Sequence, residues 1–206
     1  MFFDIGSNIG NWSLANINSC DKIISIEASP LTFTRLVDNC KNHSNIIPIN
    51  YAVCNNNGND ITFYQASMDV LSTINKDWLT EPTSRFYNHP YTEITCKTIC
   101  IDTLIEQYGI PDLIKIDVEG GEYECITSLT QKNNLLCFEW ASETNEITFK
   151  CIDYLYELGY TQFYIQCQDN YTFRPQDNYY YDIDTIKSDL LTKTIPKKDW
   201  GMIWCK

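Results

Sequence analysis

The amino-acid sequence predicts an α/β fold, in which a mostly parallel sheet is covered by helices on both faces. Short apolar runs alternate with segments that carry apolar residues at helical spacing, which indicates repeated strand–helix units. The first unit has a glycine turn between its strand and its helix. The second strand ends in an acid, Glu27, about 20 residues after Gly6. This combination is typical of a nucleotide-binding sheet.

The glycine turn lies within the stretch FFDIGSNIGNW, residues 2–12. An apolar strand precedes it, and a helix is predicted over residues 11–17. Glycine allows backbone angles closed to other residues and lets a ligand approach the main chain. The start of the helix offers unpaired N–H groups to an anionic group. In a doubly wound sheet Glu27 would lie beside this turn, where it accepts hydrogen bonds from two ribose hydroxyls.

One residue of the turn separates two classes of nucleotide binder. A dinucleotide site needs G-x-G-x-x-G, whose middle glycine makes room for a pyrophosphate. This chain has Asn8 in that place and Asn11 in place of the third glycine. A side chain at position 8 would crowd a pyrophosphate but can hydrogen-bond a ligand that carries an amino acid there, such as S-adenosylmethionine. At this point the sequence resembles the class I methyltransferases, and DIGSNIG resembles the D-x-G-x-N-x-G form of the FkbM family.

The next elements are predicted in chain order. A strand over residues 22–27 is followed by a cap and a helix over residues 31–42. A third strand covers residues 46–51. A polar turn with a glycine then leads to an alternating strand at residues 61–65, which predicts a hairpin.

Residues 67–92 interrupt this regular pattern. They carry four aromatic residues among prolines, serines and charges: Trp78, Phe86, Tyr87 and Tyr91. A segment of this length and composition is typical of a functional lid rather than of a connector. We therefore predict a single methyltransferase domain over residues 1–206, in which residues 67–92 are a lid or an acceptor-binding insertion.

The most specific match is the run DLIKIDVEGGE at residues 112–122. A buried strand is predicted over residues 113–118, and Gly120 and Gly121 open a helix that ends at Leu129. Together with IDTL at residues 101–104, this run resembles the L-D-x-L and K-I-D-V-E-G-x-E signatures of the FkbM family.

Further alternation completes the sheet. Residues 98–108 predict a strand end and a short helix, and residues 145–158 a longer helix. The later strands are predicted at residues 135–138, 162–166 and 202–205. The resemblance therefore implies a Rossmann-like class I methyltransferase fold. This is a three-layer sandwich whose seven-stranded, mostly parallel sheet has an antiparallel last strand.

The resemblance implies S-adenosylmethionine as the cofactor. Its ribose is expected on Glu27, its methionine part against the glycine turn, and its adenine after the third strand. The residues expected at the cofactor are Asp4, Gly6, Ser7, Asn8, Gly10, Glu27, Ala28, Ala52, Val53 and Asp117.

The predicted catalytic residues are Asp117, Lys115 and Glu139. Strand side chains alternate, so Lys115 and Asp117 point to one face, with Asp117 at the carboxyl end where α/β sheets bind ligands. Asp117 is the expected base or acceptor-orienting group, and the alternative is a carboxylate that caps the following helix. Lys115 would keep Asp117 ionised or contact the acceptor, unless it is only an ion pair of the sheet.

Acids near this strand also raise the question of a metal. Glu119 and Glu122 lie at the start of the predicted helix, where the helix dipole favours acids. With Asp117 and Glu139 they offer oxygen ligands to a hard cation. No spacing rule defines a site, so a divalent metal is compatible with the sequence but is not expected to be required. No metal ligands are assigned.

Composition limits the partners. The chain has 206 residues, with 15 basic against 27 acidic side chains and a formal net charge of −12. This balance argues against nucleic acid as a substrate. No apolar stretch has the roughly 18 residues of a membrane span, and the first strand begins at the N-terminus without a signal peptide, so no membrane partner and a cytoplasmic location are expected. The ten cysteines include no C-x-x-C pair and are interpreted as core residues.

The start of the chain bears on the cofactor pocket. Relatives usually carry an N-terminal segment that helps to close the pocket, whereas this chain begins at the first strand. A more open pocket, or a partner subunit that covers it in a homo-oligomer, is therefore expected.

The expected function is S-adenosylmethionine-dependent O-methylation of a sugar, a glycan precursor or a similar small molecule. A non-catalytic interaction module with the same fold is the first alternative, and an NAD-dependent oxidoreductase, disfavoured by Asn8, is the second. The net charge of −12 would repel a polyanionic acceptor. Aromatic residues of the segment 67–92 would cover a sugar ring.

Overall fold

The computed structural model describes residues 1–193 and 199–206. Within these ranges the chain forms ten strands: β1 (Phe2–Ile5), β2 (Ile23–Glu27), β3 (Ile46–Asn50), β4 (Ala52–Val53), β5 (Asp60–Ala66), β6 (Tyr91–Ile99), β7 (Leu113–Ile116), β8 (Leu135–Ala141), β9 (Phe163–Cys167) and β10 (Trp200–Cys205). The same ranges contain seven α-helices: α1 (Asn11–Ala15), α2 (Pro30–Cys40), α3 (Asp77–Thr80), α4 (Ile101–Tyr108), α5 (Glu122–Ile126), α6 (Asn145–Glu157) and α7 (Ile183–Lys193).

Seven strands form the main sheet, in the order β3-β2-β1-β7-β8-β10-β9. Strand β10 runs antiparallel to β8 and β9, and the remaining neighbours are parallel. The predicted seven-stranded, mostly parallel sheet with an antiparallel last strand is therefore confirmed. The chain leaves β1 toward β2 on one side and later returns to β7 on the other. Such a reversal of strand order leaves a crevice at the carboxyl ends of the strands.

Side-chain alternation along the strands produces the layers. On β1, Phe3 and Ile5 belong to a core cluster that includes Leu104 of α4 and Ile126 of α5. Phe2 belongs to a second cluster on the opposite face. That cluster contains side chains of α1 and α2, so helices cover both faces of the sheet.

One row of side chains in the second face is polar. Asp4 lies opposite Ser25 of β2 and Lys115 of β7 in the register of the sheet. All three are buried. Buried charged groups need partners, and these residues lie next to one another in the sheet. The row therefore marks the boundary between the apolar core and a polar site.

Strands β4, β6 and β5 form a separate small sheet. Strand β6 lies between the other two and pairs antiparallel with β5. The predicted hairpin between the third strand and residues 61–65 is therefore wrong, since β5 pairs with β6, which begins at Tyr91 near the end of the segment 67–92. Strand β6 is predicted only at its end because most of its first half is exposed and lacks a clear apolar alternation.

Several helices differ from the prediction. Helix α1 ends at Ala15 rather than at residue 17, and α3 lies in the segment 67–92, where no helix is predicted. Helix α5 ends at Ile126 rather than at Leu129, because a turn follows in which Ser128 Oγ accepts a hydrogen bond from the Ile101 N–H at 3.0 Å. Helix α7 has no counterpart among the predicted elements. Its apolar face is weak in the sequence, and only Ile186 and Leu190 are buried.

Cysteines contribute to the core. Each of the ten, all of which lie in the described ranges, is a free thiol, and most are buried. Burial raises the pKa of Cys96 to about 11, which keeps this thiol protonated. None of the helices in residues 1–193 is long and apolar enough to cross a membrane.

Candidate functional site

A cleft lies at the carboxyl ends of β1, β2 and β7, where the strand order reverses. Its empty volume is about 920 Å³, including space open to solvent. Most of the residues predicted to bind the cofactor line this cleft: Gly6, Ser7, Asn8, Glu27, Ala28, Ala52, Val53 and Asp117.

The turn after β1 brings two strand ends into contact. The N–H groups of Gly6 and Ser7 both donate to the Ile26 carbonyl, at 2.9 Å. Gly6 has a φ of +74°, and a Cβ at this position would lie 1.8 Å from the carbonyl oxygen of Asp117. Glycine is therefore required here, because any side chain would separate the turn from the end of β7.

Two predicted cofactor residues lie outside the wall of the cleft. Asp4 is fully buried, and Ser13 Oγ donates to its Oδ2 at 2.6 Å. A Cβ at Gly10 would lie 2.8 Å from Leu36 Cδ1 and 2.9 Å from Cys40 Sγ. Asp4 therefore stabilises the turn from within the core. Gly10 allows the turn to pack closely against α2.

Glu27 ends β2 with its carboxylate in the wall. The backbone N–H groups of Asn8 and Ser29 donate to its two oxygens, at 3.0 and 2.8 Å. Burial raises the pKa of Glu27 to about 7, and these hydrogen bonds offset only part of the effect. A carboxylate oxygen has a further lone pair, so Glu27 can still accept hydrogen bonds from a ligand.

Lys115 is a buried cation in the same wall. Its Nζ lies 3.1 Å from Asp117 Oδ2 and 3.4 Å from Asp4 Oδ1. It also donates to the Gly6 carbonyl at 3.4 Å. Burial alone lowers the pKa of Lys115, but the neighbouring carboxylates, with Asp117 foremost, outweigh burial and raise it. Lys115 thus stays charged and joins the ends of β1 and β7.

Three carboxylates converge beyond β7. One oxygen from each of Asp117, Glu119 and Glu139 lies within 4.8 Å of the others. Glu119 has a left-handed φ of +56° and accepts a hydrogen bond from Trp78 Nε1 at 3.0 Å. Burial and the adjacent carboxylates raise the pKa values of both Glu119 and Glu139. Asp117 and Glu119 line the cleft, whereas Glu139 does not.

Glu122 has a local structural contact. Its Oε1 accepts a hydrogen bond from the Val118 N–H at 3.1 Å. Burial raises its pKa to about 7. Val118 lies four residues before α5, so this contact joins the first residue of the helix to the segment that follows β7.

Comparison with known families identifies the relatives of this chain. The model of the FkbM methyltransferase domain matches residues 4–176. The chain belongs to the FkbM methyltransferase family. The resemblance of its glycine turn and of residues 112–122 to this family is thereby confirmed, and methyl transfer is the chemistry of the family.

A curated relative of this FkbM-family chain is the hexuronic acid methyltransferase AglP of Haloferax volcanii. The two are 29% identical over 135 residues, which are 63% of this chain and 50% of AglP. The chain therefore spans about half the length of this relative.

Solved structures share the fold. The precorrin-6y C5,15-methyltransferase of Geobacter metallireducens has a TM-score of 0.51 and 12% identity, with 100% of this chain and 78% of that chain covered. The fibrillarin pre-rRNA processing protein of Methanococcus jannaschii has a TM-score of 0.50 and 12% identity, with 99% and 64% covered. At these identities the similarity shows the fold alone, which is that of class I methyltransferases.

In this FkbM-family structure, residues 67–92 pack beside the cleft. Asn75 Nδ2 donates to the Gly120 carbonyl at 3.0 Å, and a Cβ at Gly121 would lie 2.8 Å from Ile74. Trp78 is buried against Phe86, with ring centroids 5.2 Å apart, so its faces are not open to a ligand. The segment contributes other residues to the wall: Asp69, Val70, Ser72 and Ile74. None of its four aromatic residues is among the residues that line the cleft.

Asp169 and Tyr171 enter the wall from the segment after β9. Neither residue is among those predicted from the sequence to bind the cofactor. A signal for Asp169 was available, because an acid shortly after a predicted strand at residues 162–166 falls at the carboxyl end of the sheet. Asp169 is far from the FkbM motifs along the chain, so the sequence alone does not show that it lies in the same cleft.

Proposed function

We propose that this chain is an S-adenosylmethionine-dependent O-methyltransferase that acts on a hydroxyl of a sugar, a glycan precursor or a similar small molecule. The main support for this proposal is that the glycine turn, Glu27 and Asp117 all line the same cleft. A nucleoside site and a carboxylate for an acceptor hydroxyl therefore face the same space. Family membership supports methyl transfer as the chemistry.

The residues of the cleft fit the cofactor. Glu27 would hold the ribose hydroxyls, and the apolar Ala52 and Val53 would contact the adenine. Ser7 Oγ is buried in the wall without a hydrogen-bond partner among the described residues. A buried hydroxyl of this kind needs a partner, which a polar ligand would supply. When bound, S-adenosylmethionine supplies an electrophilic methyl group on its sulfonium.

Asp117 and Lys115 would act on the acceptor. Methyl transfer depends mainly on alignment of the acceptor oxygen and on exclusion of water. Asp117 would orient an acceptor hydroxyl and take its proton as the new bond forms. Lys115, whose Nζ lies 3.1 Å from Asp117 Oδ2, would hold this carboxylate in position.

A sugar acceptor agrees with two observations. The relative AglP is named for hexuronic acid, which is a sugar acid. In the described part of the wall, Lys115 is the single basic residue among several acids, so a polyanion would be repelled. A neutral sugar meets no such barrier and presents several hydroxyls.

Calorimetry tests the cofactor assignment. We expect S-adenosylhomocysteine to bind to the purified protein and NAD to give no heat of binding. NAD binding without S-adenosylhomocysteine binding would establish the oxidoreductase alternative. Binding of neither ligand would favour the non-catalytic interaction module.

Labelled methyl transfer tests the acceptor. S-adenosylmethionine with a labelled methyl group is incubated with the protein and with separate pools of sugars, nucleotide sugars, RNA and protein. We expect label in the sugar pools. Mild alkali distinguishes the acceptor group, because it hydrolyses a methyl ester of a hexuronic acid but leaves a methyl ether intact. Label found only in RNA or protein would refute the sugar assignment. An alkali-labile product would show that the acceptor group is a carboxylate rather than a hydroxyl.

Glu27 should make cofactor binding pH-dependent. Its pKa is raised to about 7, and ribose hydroxyls donate to its charged form, so binding favours loss of the proton. Affinity for S-adenosylhomocysteine should rise by about tenfold between pH 6 and pH 8 and level off above.

Glu27→Ala should weaken binding by about 1.5 to 3 kcal/mol, and Glu27→Gln should flatten the pH profile. The control Glu106→Gln changes an exposed acid of α4 and should keep the profile of the unmodified chain. A Glu27→Ala variant with full affinity would remove Glu27 from the site.

Turnover should not require a divalent metal. Asp117, Glu119 and Glu122 already have partners in the chain, which are Lys115, Trp78 Nε1 and the Val118 N–H. We expect the methylation rate to be the same with EDTA and with added magnesium. Loss of turnover with EDTA that magnesium restores would contradict this prediction and assign Asp117, Glu119 and Glu139 as ligands, whose oxygens lie within 4.8 Å of one another.

A further inference from the structure

A bulge at the end of β9 directs the chain toward the cleft. Gln168 has a left-handed φ of +62°, and its N–H donates to the Trp200 carbonyl at 2.9 Å. Gly201 lies opposite, where a Cβ would be 2.0 Å from the Gln166 carbonyl oxygen. Bulges of this kind re-aim the residues that follow them. The residue that follows is Asp169, which lines the cleft.

The segment after the bulge is anchored to α1. Asn16 Nδ2 donates to the Tyr171 carbonyl at 3.0 Å, and Arg174 Nη2 donates to Asn16 Oδ1 at 2.7 Å. The Arg174 guanidinium also lies 5.5 Å from the centroid of the Trp12 ring. These contacts hold Asp169 beside the helix that begins at the glycine turn. That end of the cleft is where the methionine part of the cofactor is expected.

The other carboxylates of the wall have partners. These pairs are Glu27 with the Asn8 and Ser29 N–H groups, Asp69 with Arg35, Asp117 with Lys115, and Glu119 with Trp78. Asp169 differs, since it has neither a hydrogen bond nor an ion pair with any residue in 1–193 or 199–206. Burial raises its pKa to about 6, which leaves it mostly ionised at neutral pH.

The amino-acid part of S-adenosylmethionine carries an ammonium and a carboxylate. Asp4 cannot reach the ammonium, because it is fully buried and faces Ser13 and Lys115. We propose that Asp169 binds this ammonium group directly. The inference rests on the proposed function and adds a binding residue outside the FkbM motifs of the chain.

A pair of ligands tests this contact. S-adenosylhomocysteine has the amino-acid part, whereas 5′-methylthioadenosine has the same nucleoside and sulfur without it. Asp169→Asn keeps the shape of the side chain but removes its charge. We expect this variant to bind S-adenosylhomocysteine roughly 10- to 100-fold more weakly, the range of one hydrogen bond to a charged group. Its affinity for 5′-methylthioadenosine should be unchanged.

Asp177→Asn is the matched control. Asp177 lies on the same segment, is exposed, and pairs with Lys206 rather than with the cleft. This variant should bind both ligands as the unmodified chain does. An equal loss for both ligands in Asp169→Asn, or no loss for either, would overturn the ammonium contact while the proposed function stands. Failure of the unmodified chain to bind S-adenosylhomocysteine would instead refute the proposed function itself.

Discussion

Gly6→Ala is expected to abolish detectable binding of S-adenosylhomocysteine. The new Cβ would lie 1.8 Å from the Asp117 carbonyl oxygen, a distance that non-bonded atoms do not reach. The turn and the end of β7 must therefore separate. This movement displaces the backbone beside Glu27 and Asp117, which together form the proposed site. Calorimetry measures the binding, and thermal unfolding measures the accompanying loss of stability.

Gly58→Ala provides the control for backbone strain. Gly58 has a φ of +75°, close to the +74° of Gly6, but a Cβ there meets no atom within 4 Å. Alanine in this conformation costs roughly 1–2 kcal/mol without a steric clash. We expect Gly58→Ala to lower the unfolding temperature modestly and to retain ligand affinity. Gly6→Ala should have the larger effect on both quantities, and equal effects of the two variants would show that contact with Asp117 is unimportant.

Asp117→Asn is expected to slow methyl transfer by roughly 10² to 10⁴. The asparagine keeps the shape of the side chain and can still face Lys115, but it cannot take a proton from an acceptor hydroxyl. Cofactor affinity should change little, because Glu27 and the glycine turn remain intact. Single-turnover measurements with the acceptor isolate the chemical step from product release.

Asp60→Asn is the matched control for this variant. It removes the same charge from an exposed ion pair with Lys97, in the small sheet. Its turnover should equal that of the unmodified chain. Full turnover in Asp117→Asn would reduce Asp117 to a structural carboxylate. A large loss of cofactor affinity in the same variant would assign it to binding rather than to catalysis.

Local motifs account for the part of the site that could be predicted. Gly6, Asn8 and Glu27 lie within about 20 residues, and parallel strands place their carboxyl ends at one edge. Strand alternation likewise places Lys115 and Asp117 on one face, and their side chains lie 3.1 Å apart. Both relations follow from short-range geometry, which a single sequence carries.

Other residues depend on long-range packing. Gly10 matches the family motif, yet its missing side chain makes room for Leu36 and Cys40 of α2. Trp78 is an aromatic residue of a candidate lid, yet it is buried and donates to Glu119. A motif specifies residue types, whereas the neighbours of a residue decide whether it faces a ligand or another element.

The sequence by itself determined the alternation of strands and helices, the glycine turn, and the acid at the end of β2, because each depends on periodicity or on contacts over a short stretch. The seven-stranded sheet was implied by the family resemblance. Only the tertiary structure decided the pairing of β5 with β6 and the enclosure of Asp4 behind Lys115. It also decided the entry of Asp169 into the cleft from a segment more than 100 residues beyond the glycine turn. The physical reason is that these contacts join distant parts of the chain, whose meeting depends on how the whole core packs.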